Sequence, residues 1–161
     1  MNTYRLVVAA VGCIALTACG QSNTTAVAGW THTKSADEVT LSIKEASDAE
    51  AFRLVCAKAG PTLTLSAAVQ QVGMANMAPP FAMTLSGASF DATLVPGQDG
   101  GPTFAVTAPL TGEMLTAVRD GTTARISVND GYAFAESGID RGQEFEKFTA
   151  DCTALTGVAA K

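Results

Sequence analysis

The chain has 161 residues, with fifteen acidic and ten basic side chains, one histidine and a formal net charge of −5. That length suits one ordinary domain. The cations are scattered singly, which excludes the clustered positive charge that nucleic-acid binding relies on to displace counterions.

At the start, Met1 to Arg5 carries one cation, and Leu6 to Leu16 (LVVAAVGCIAL) carries no charge. A basic n-region before a short apolar h-region is the pattern of a secretory signal. The apolar run is shorter than the ~20 residues that a membrane-spanning helix needs, so a retained transmembrane helix is the weaker alternative. The run ends in Leu16-Thr17-Ala18-Cys19, which resembles the lipobox of bacterial lipoproteins: an aliphatic residue, two small ones and an obligatory cysteine. The resemblance implies cleavage before Cys19 and lipidation of its thiol and new amino terminus. Several acyl chains then give stable anchoring where one would be marginal. Residues 1–18 are read as the signal, residues 19–29 as the lipidated cysteine and a flexible tether, and residues 30–161 as a single β-rich domain. The tether (GQSNTTAVAG, residues 20–29) is small, polar and without periodicity, as a flexible linker is. Gly20 stands where an Asp would imply inner-membrane retention, so the resemblance implies an outer-membrane anchor facing the periplasm.

Cysteine arithmetic follows. Cys13 leaves with the signal and Cys19 is lipidated, so Cys56 and Cys152 remain. In an oxidising compartment a leftover pair favours a disulfide; two separate buried thiols are the alternative. Loss of Arg5 leaves nine basic against fifteen acidic residues, a mature charge of −6. Such moderate acidity is compatible with a solvated periplasmic domain.

Along the domain, Trp30 opens the fold after the tether and is expected to plug the core. Alternating apolar and polar residues then predict strands: Val39, Leu41, Ile43; Phe52, Leu54, Cys56; Leu63, Leu65; Phe81, Met83, Leu85; Phe90, Ala92, Leu94; Phe104, Val106. Ile126 and Val128 are followed by Asn129-Asp130-Gly131, then Tyr132 and Phe134. Asp-Gly between two such runs signals a hairpin, and strands with one apolar face suit antiparallel sheets. Two stretches break this period. Thr111 to Asp120 sets Met114, Leu115 and Val118 at helical spacing and stops at Gly121, a candidate C-terminal cap. Asp140 to Gln143 has the form of a capping box. Beyond it Phe145, Phe148, Cys152 and Leu155 form one helical stripe, with Glu144, Glu146, Lys147 and Asp151 off it. Strand parity turns Cys56 inward and the stripe turns Cys152 inward, so a helix packed across a sheet could join them. Residues 67–80 and 95–102 are the least regular and are read as loops. The expected architecture is mainly β: an antiparallel β-sandwich or small barrel, with a short helix and a C-terminal helix tied by the Cys56–Cys152 disulfide.

Chemistry is sparse. The sole histidine, His32, lies at the domain edge and is read as a surface residue. No G-x-S-x-G occurs, so no nucleophile is paired with a base. Met74 and Met77 in M-x-x-M raise soft-metal binding, yet His or Cys ligands are not nearby in sequence, and Met83 has core parity. A deformable contact surface is the other reading of Met74 and Met77. The expectation is therefore a non-enzyme without cofactor or metal site.

The mature domain resembles small envelope proteins that combine a strand segment such as Leu54-Val55-Cys56, several short strands and a final helix ending in cysteine. Uncharacterised periplasmic proteins and some type VI secretion accessory proteins share that outline. Lipoprotein inhibitors of lysozyme also join a lipid anchor, a β-barrel and one disulfide, with Ser86-Gly87 and Phe90 only a fragment of something similar to their inhibitory loop. The resemblance implies a binding or accessory module for another envelope protein. Inhibition of a hydrolase through loop 67–80 or 95–102, and small-ligand binding, are the alternatives.

Overall fold

The computed structural model describes residues 29–44, 50–68, 80–95, 103–128, 132–138 and 143–161. Within them lie strands β1 (Thr31–Lys34), β2 (Glu38–Lys44), β3 (Glu50–Ala57), β4 (Thr62–Ala68), β5 (Phe81–Leu85), β6 (Ala88–Val95), β7 (Thr103–Pro109), β8 (Thr123–Val128) and β9 (Tyr132–Gly138). Helix α1 (Gly112–Asp120) falls between β7 and β8, and helix α2 (Gln143–Thr156) follows β9. The strands pair antiparallel in the order β1-β2-β3-β4-β7-β6-β5-β8-β9.

Period-2 alternation places the apolar residues on one face. The register aligns Leu41, Leu54, Leu65 and Val106 across β2, β3, β4 and β7, and all four are fully buried. Each such side chain contributes roughly 1.5–3 kcal/mol relative to exposure. A second row, Val39-Cys56-Leu63-Ala108, and a third, Ile43-Phe52-Ala67-Phe104, complete the inner face. Substituting any of the four central residues by alanine would open a cavity beneath the helices.

β6 turns a corner. Residues 88–92 pair with β5, while Thr93 to Val95 pair with β7. A strand that switches partners in this way lets a sheet fold over on itself, and the Phe81 and Phe104 rings meet at 6.0 Å across the bend. The result is two layers, β1-β2-β3-β4-β7 and β5-β8-β9, in one continuous sheet. The sheet stays open, because β1 and β9 end the order without pairing to each other. The expected mainly β, antiparallel, layered architecture is present, and the barrel is not closed.

Both helices cover the inner face. α1 starts where expected: the Thr111 hydroxyl accepts from the Met114 amide, and Met114, Leu115 and Val118 are buried. The α2 stripe is also as expected, with Phe145, Phe148 and Cys152 buried and Leu155 packed at its margin. Thr149 joins them because its hydroxyl donates to the Phe145 carbonyl at 2.9 Å, satisfying a polar group in the core. Asp140 of the expected capping box lies outside the described residues, as does the Asn129-Asp130-Gly131 turn. The β8–β9 pairing that flanks that turn is present, down to Val128 opposite Tyr132.

Gly121 caps α1 as expected, in extended rather than left-handed backbone, with φ of −81°. It is glycine because a Cβ there would lie 2.1 Å from the Ala117 carbonyl oxygen and collide with the Ser86 hydroxyl. The loop read as 67–80 begins later, because Ala67 and Ala68 continue β4 opposite Phe104 and Thr103. Likewise Val95 belongs to β6. Alanine has weak strand preference, and here pairing with Phe52 of β3 on one side and Phe104 of β7 on the other overrides it.

Candidate functional site

Cys56 on β3 and Cys152 on α2 are disulfide-bonded, with Cα atoms 5.9 Å apart and both residues fully buried. Strand parity and helical spacing together put the two thiols at one point between sheet and helix. Cys19 lies outside the described residues, so the lipidation reading stays a matter of sequence. So do Met74, Met77 and most of both expected loops. Met83 is fully buried on β5, as its parity requires.

β1 was not visible as a strand, and it changes the reading of His32. The residue pairs with Leu41 of β2, which turns its side chain toward α2 and leaves it 15% exposed rather than on the surface. Its Nε2 lies 3.3 Å from Asp151 Oδ2, a close approach without the alignment of a hydrogen bond. Lys34 Nζ donates to Asp151 Oδ1 at 2.6 Å. Asp151, which the helical pattern put in solvent, therefore ties α2 to the edge strand. Trp30 is half-buried, with its ring edge-on to Phe145 at 4.9 Å, so it closes the core at the sheet edge as expected. Of the remaining acids off the stripe, Glu144 sits 4.0 Å from Lys147 on the same helix, and Glu146 is exposed. Among the described residues, no cluster of three His, Cys, Asp or Glu side chains is placed to hold a metal.

An open cavity of about 390 Å³ lies between α1 and the β5–β6 turn, lined among others by Ser86, Glu113, Thr116, Asp120, Gly121 and Lys161. Ser86 and Gly87 form the two-residue turn, with φ of 50° and 84°, the signs a type I′ hairpin requires. The serine accepts a conformation that costs on the order of 1–2 kcal/mol for a residue with a Cβ. Its hydroxyl donates to the Ala117 carbonyl at 3.2 Å, and its amide donates to the Thr123 carbonyl. Lys161 donates from its amide to the Thr116 hydroxyl and from its ammonium to Glu113. That ammonium, by hydrogen bond and charge, holds the Glu113 carboxyl below its ordinary range. The cavity is thus walled by ion pairs already satisfied within the chain.

The outer face of the β1-β2-β3-β4-β7 layer, continued by the Thr93–Val95 end of β6, is different in kind. The register aligns Thr33, Thr40, Val55, Thr64, Thr107 and Thr93 in one row across six strands. Beside it run Thr31, Ser42, Arg53, Ser66, Ala105 and Val95, and on the other side Glu38, Ala57, Thr62 and Pro109. The charged residues of these rows are Glu38 and Arg53, and Lys44 on β2 and Asp91 on β6 carry the same outward parity. Some of the hydroxyls bond within the sheet: Thr64 to the Thr107 hydroxyl at 3.0 Å, Thr93 to the Thr107 carbonyl at 3.3 Å, and Ser66 to the Arg53 carbonyl at 3.5 Å. Sequence reading saw these residues only as the polar half of each strand. Their alignment depends on register across six strands, which alternation alone does not give.

The described residues define a mainly β protein, with an open antiparallel sheet whose inner face is covered by two helices, one of them held by a disulfide. No family model, curated protein or solved structure matches this chain.

Proposed function

We propose that this protein is a lipid-anchored module of the bacterial cell envelope, held by Cys19 and acting without catalysis as a binding or accessory partner of another envelope protein. The observation that carries the reading is the buried Cys56–Cys152 bond. Structural disulfides form and persist in oxidising compartments, the same destination that the Leu16-Thr17-Ala18-Cys19 signal implies by resemblance. The domain begins at Trp30, so residues 19–29 lie between anchor and fold. Eleven residues reach at most ~40 Å when extended, which keeps the domain close to its membrane. A rigid, stapled scaffold on a short leash suits work by contact with a neighbour.

The test is crosslinking capture of the full-length tagged chain from intact envelopes, beside a Cys19→Ala control. The reading expects one reproducible envelope partner that is lost in the control, together with loss of membrane fractionation. Retained activity of a soluble Cys19→Ala chain would contradict it.

A further inference from the structure

Helix α2 stops at Thr156, and the Gly157 amide donates back to the Thr153 carbonyl at 2.8 Å. Gly157 takes a φ of 77°, the left-handed conformation that glycine adopts without a Cβ penalty and that turns a chain out of a helix. Beyond it Val158 and Ala160 are half-buried against the core, while Ala159 and Lys161 are exposed. The segment therefore lies along the surface with alternate residues inward.

Its seat is on α1. The Lys161 amide donates to the Thr116 hydroxyl at 2.9 Å, and the Lys161 ammonium donates to Glu113 at 2.8 Å. Gly112 opens α1, where alanine would be the better helix former, but a Cβ there would collide with the Ala159 carbonyl oxygen. The glycine serves the segment that crosses it. We infer that Gly157–Lys161 is a releasable clasp, seated on α1 at Gly112 and Thr116, whose lifting widens the cavity between α1 and the β5–β6 turn while the sheet stays folded.

Three features make the clasp separable from the fold beneath it. The Thr116 hydroxyl lies 3.0 Å from two acceptors, the Lys161 carbonyl and the Gly112 carbonyl one turn back on α1. It donates to the first when the clasp is down. The second, a bond that threonine makes within its own helix, satisfies it when the clasp is up, so the hydroxyl is not stranded. The ion pair is exposed at both ends, 70% for Lys161 and 66% for Glu113, where such pairs contribute little. The covalent anchor lies upstream, where Cys152 holds α2 to Cys56 of β3, so the residues after Thr156 can lift while α2 stays. Segments with few buried contacts and exposed bonds open locally, below the cost of global unfolding. Lys161 also lines the cavity, with Ala88, Glu113, Thr116 and Ala117, so lifting the clasp removes one wall. None of this depends on how the chain is anchored.

The test is amide hydrogen exchange of the full chain in detergent micelles, read by NMR at urea concentrations below the unfolding transition. The Lys161 amide should exchange more slowly than in an unstructured chain, at a rate that barely changes with urea. The Leu54 and Leu65 amides should instead follow global unfolding. Gly112→Ala and Thr116→Val should each speed Lys161 exchange about tenfold or more, while Leu54 and Leu65 keep their urea dependence. Thr116→Ser keeps the hydroxyl and should preserve slow exchange. In the two releasing variants the Ala88 and Ala117 methyl signals should shift as the cavity widens. A Lys161 amide that exchanges only by global unfolding, or at the unstructured rate, would overturn the inference. So would wild-type protection of Lys161 in either folded variant, or release that leaves both methyl signals unmoved. If Gly112→Ala fails to fold, the Thr116→Val and Thr116→Ser pair decides the matter.

Discussion

Replacing Cys56 and Cys152 together by alanine removes the covalent link between α2 and the sheet, and the structure sets the size of the effect. The bond spans 96 residues of sequence, and in the chain-entropy model a loop near that length is worth about 4.7 kcal/mol. Both sulfurs are fully buried, so lost packing adds on the order of 1 kcal/mol more. Against total stabilities of about 5–15 kcal/mol, the variant should be marginal. At a few degrees per kcal/mol the midpoint should fall by about 15 °C. Urea unfolding followed by Trp30 fluorescence is the assay, since Trp30 rests on Phe145 of the same helix. The dependence on urea should also steepen, because an uncrosslinked unfolded chain exposes more surface. A loss under about 1 kcal/mol with an unchanged slope would refute the argument, since it would mean that the bond constrains little of the unfolded chain.

Three further substitutions probe the joints of the fold. Gly121→Ala forces a methyl against the Ala117 carbonyl and the Ser86 hydroxyl, so thermal unfolding should show a loss of about 2–4 kcal/mol. Adding Ser86→Gly should recover only part of it, because the carbonyl clash remains. Asp151→Ala releases Lys34 and His32. Hydrogen exchange of the Thr31–Lys34 amides should then accelerate while the midpoint changes by no more than about 1 kcal/mol. Slow exchange in β1 would show that strand pairing alone holds the edge. Glu113→Gln tests the pair with Lys161. The folded carboxyl titrates below its ordinary range, so the wild type's advantage is present above the unfolded value and is lost as pH falls through the folded one. Parallel acid unfolding curves for the two proteins, or an advantage that persists in molar salt, would contradict that assignment.

Much of this architecture was legible from alternation. The runs around Leu41, Leu54, Leu65, Met83 and Val106 face the core because one apolar residue in every two leaves a strand no other choice. The α2 stripe and the inward parity of Cys56 were enough to anticipate the disulfide. What stayed hidden depended on neighbours. Thr31–Lys34 has no apolar alternation, and it is a strand because β2 offers an edge and Asp151 draws in Lys34 and His32. Gly121 caps α1 as its place in the sequence suggested, but the demand for glycine comes from the Ala117 carbonyl and from Ser86, brought in from a distant turn. The corner in β6 has no local mark either, since Leu94 keeps the parity of Phe90 yet is 39% exposed beyond the bend. The threonine row exists only once six strands are in register, so no single segment announced it.

The central claim is a disulfide-stapled domain anchored through Cys19, and intact mass spectrometry of the full chain extracted from envelopes tests it most directly. The account predicts one species beginning at Cys19, heavier than residues 19–161 by a diacylglyceryl and an acyl group, and lighter by the two hydrogens of one disulfide. A chain that retains residues 1–18, or one that begins at Cys19 without lipid or without the Cys56–Cys152 bond, would contradict it.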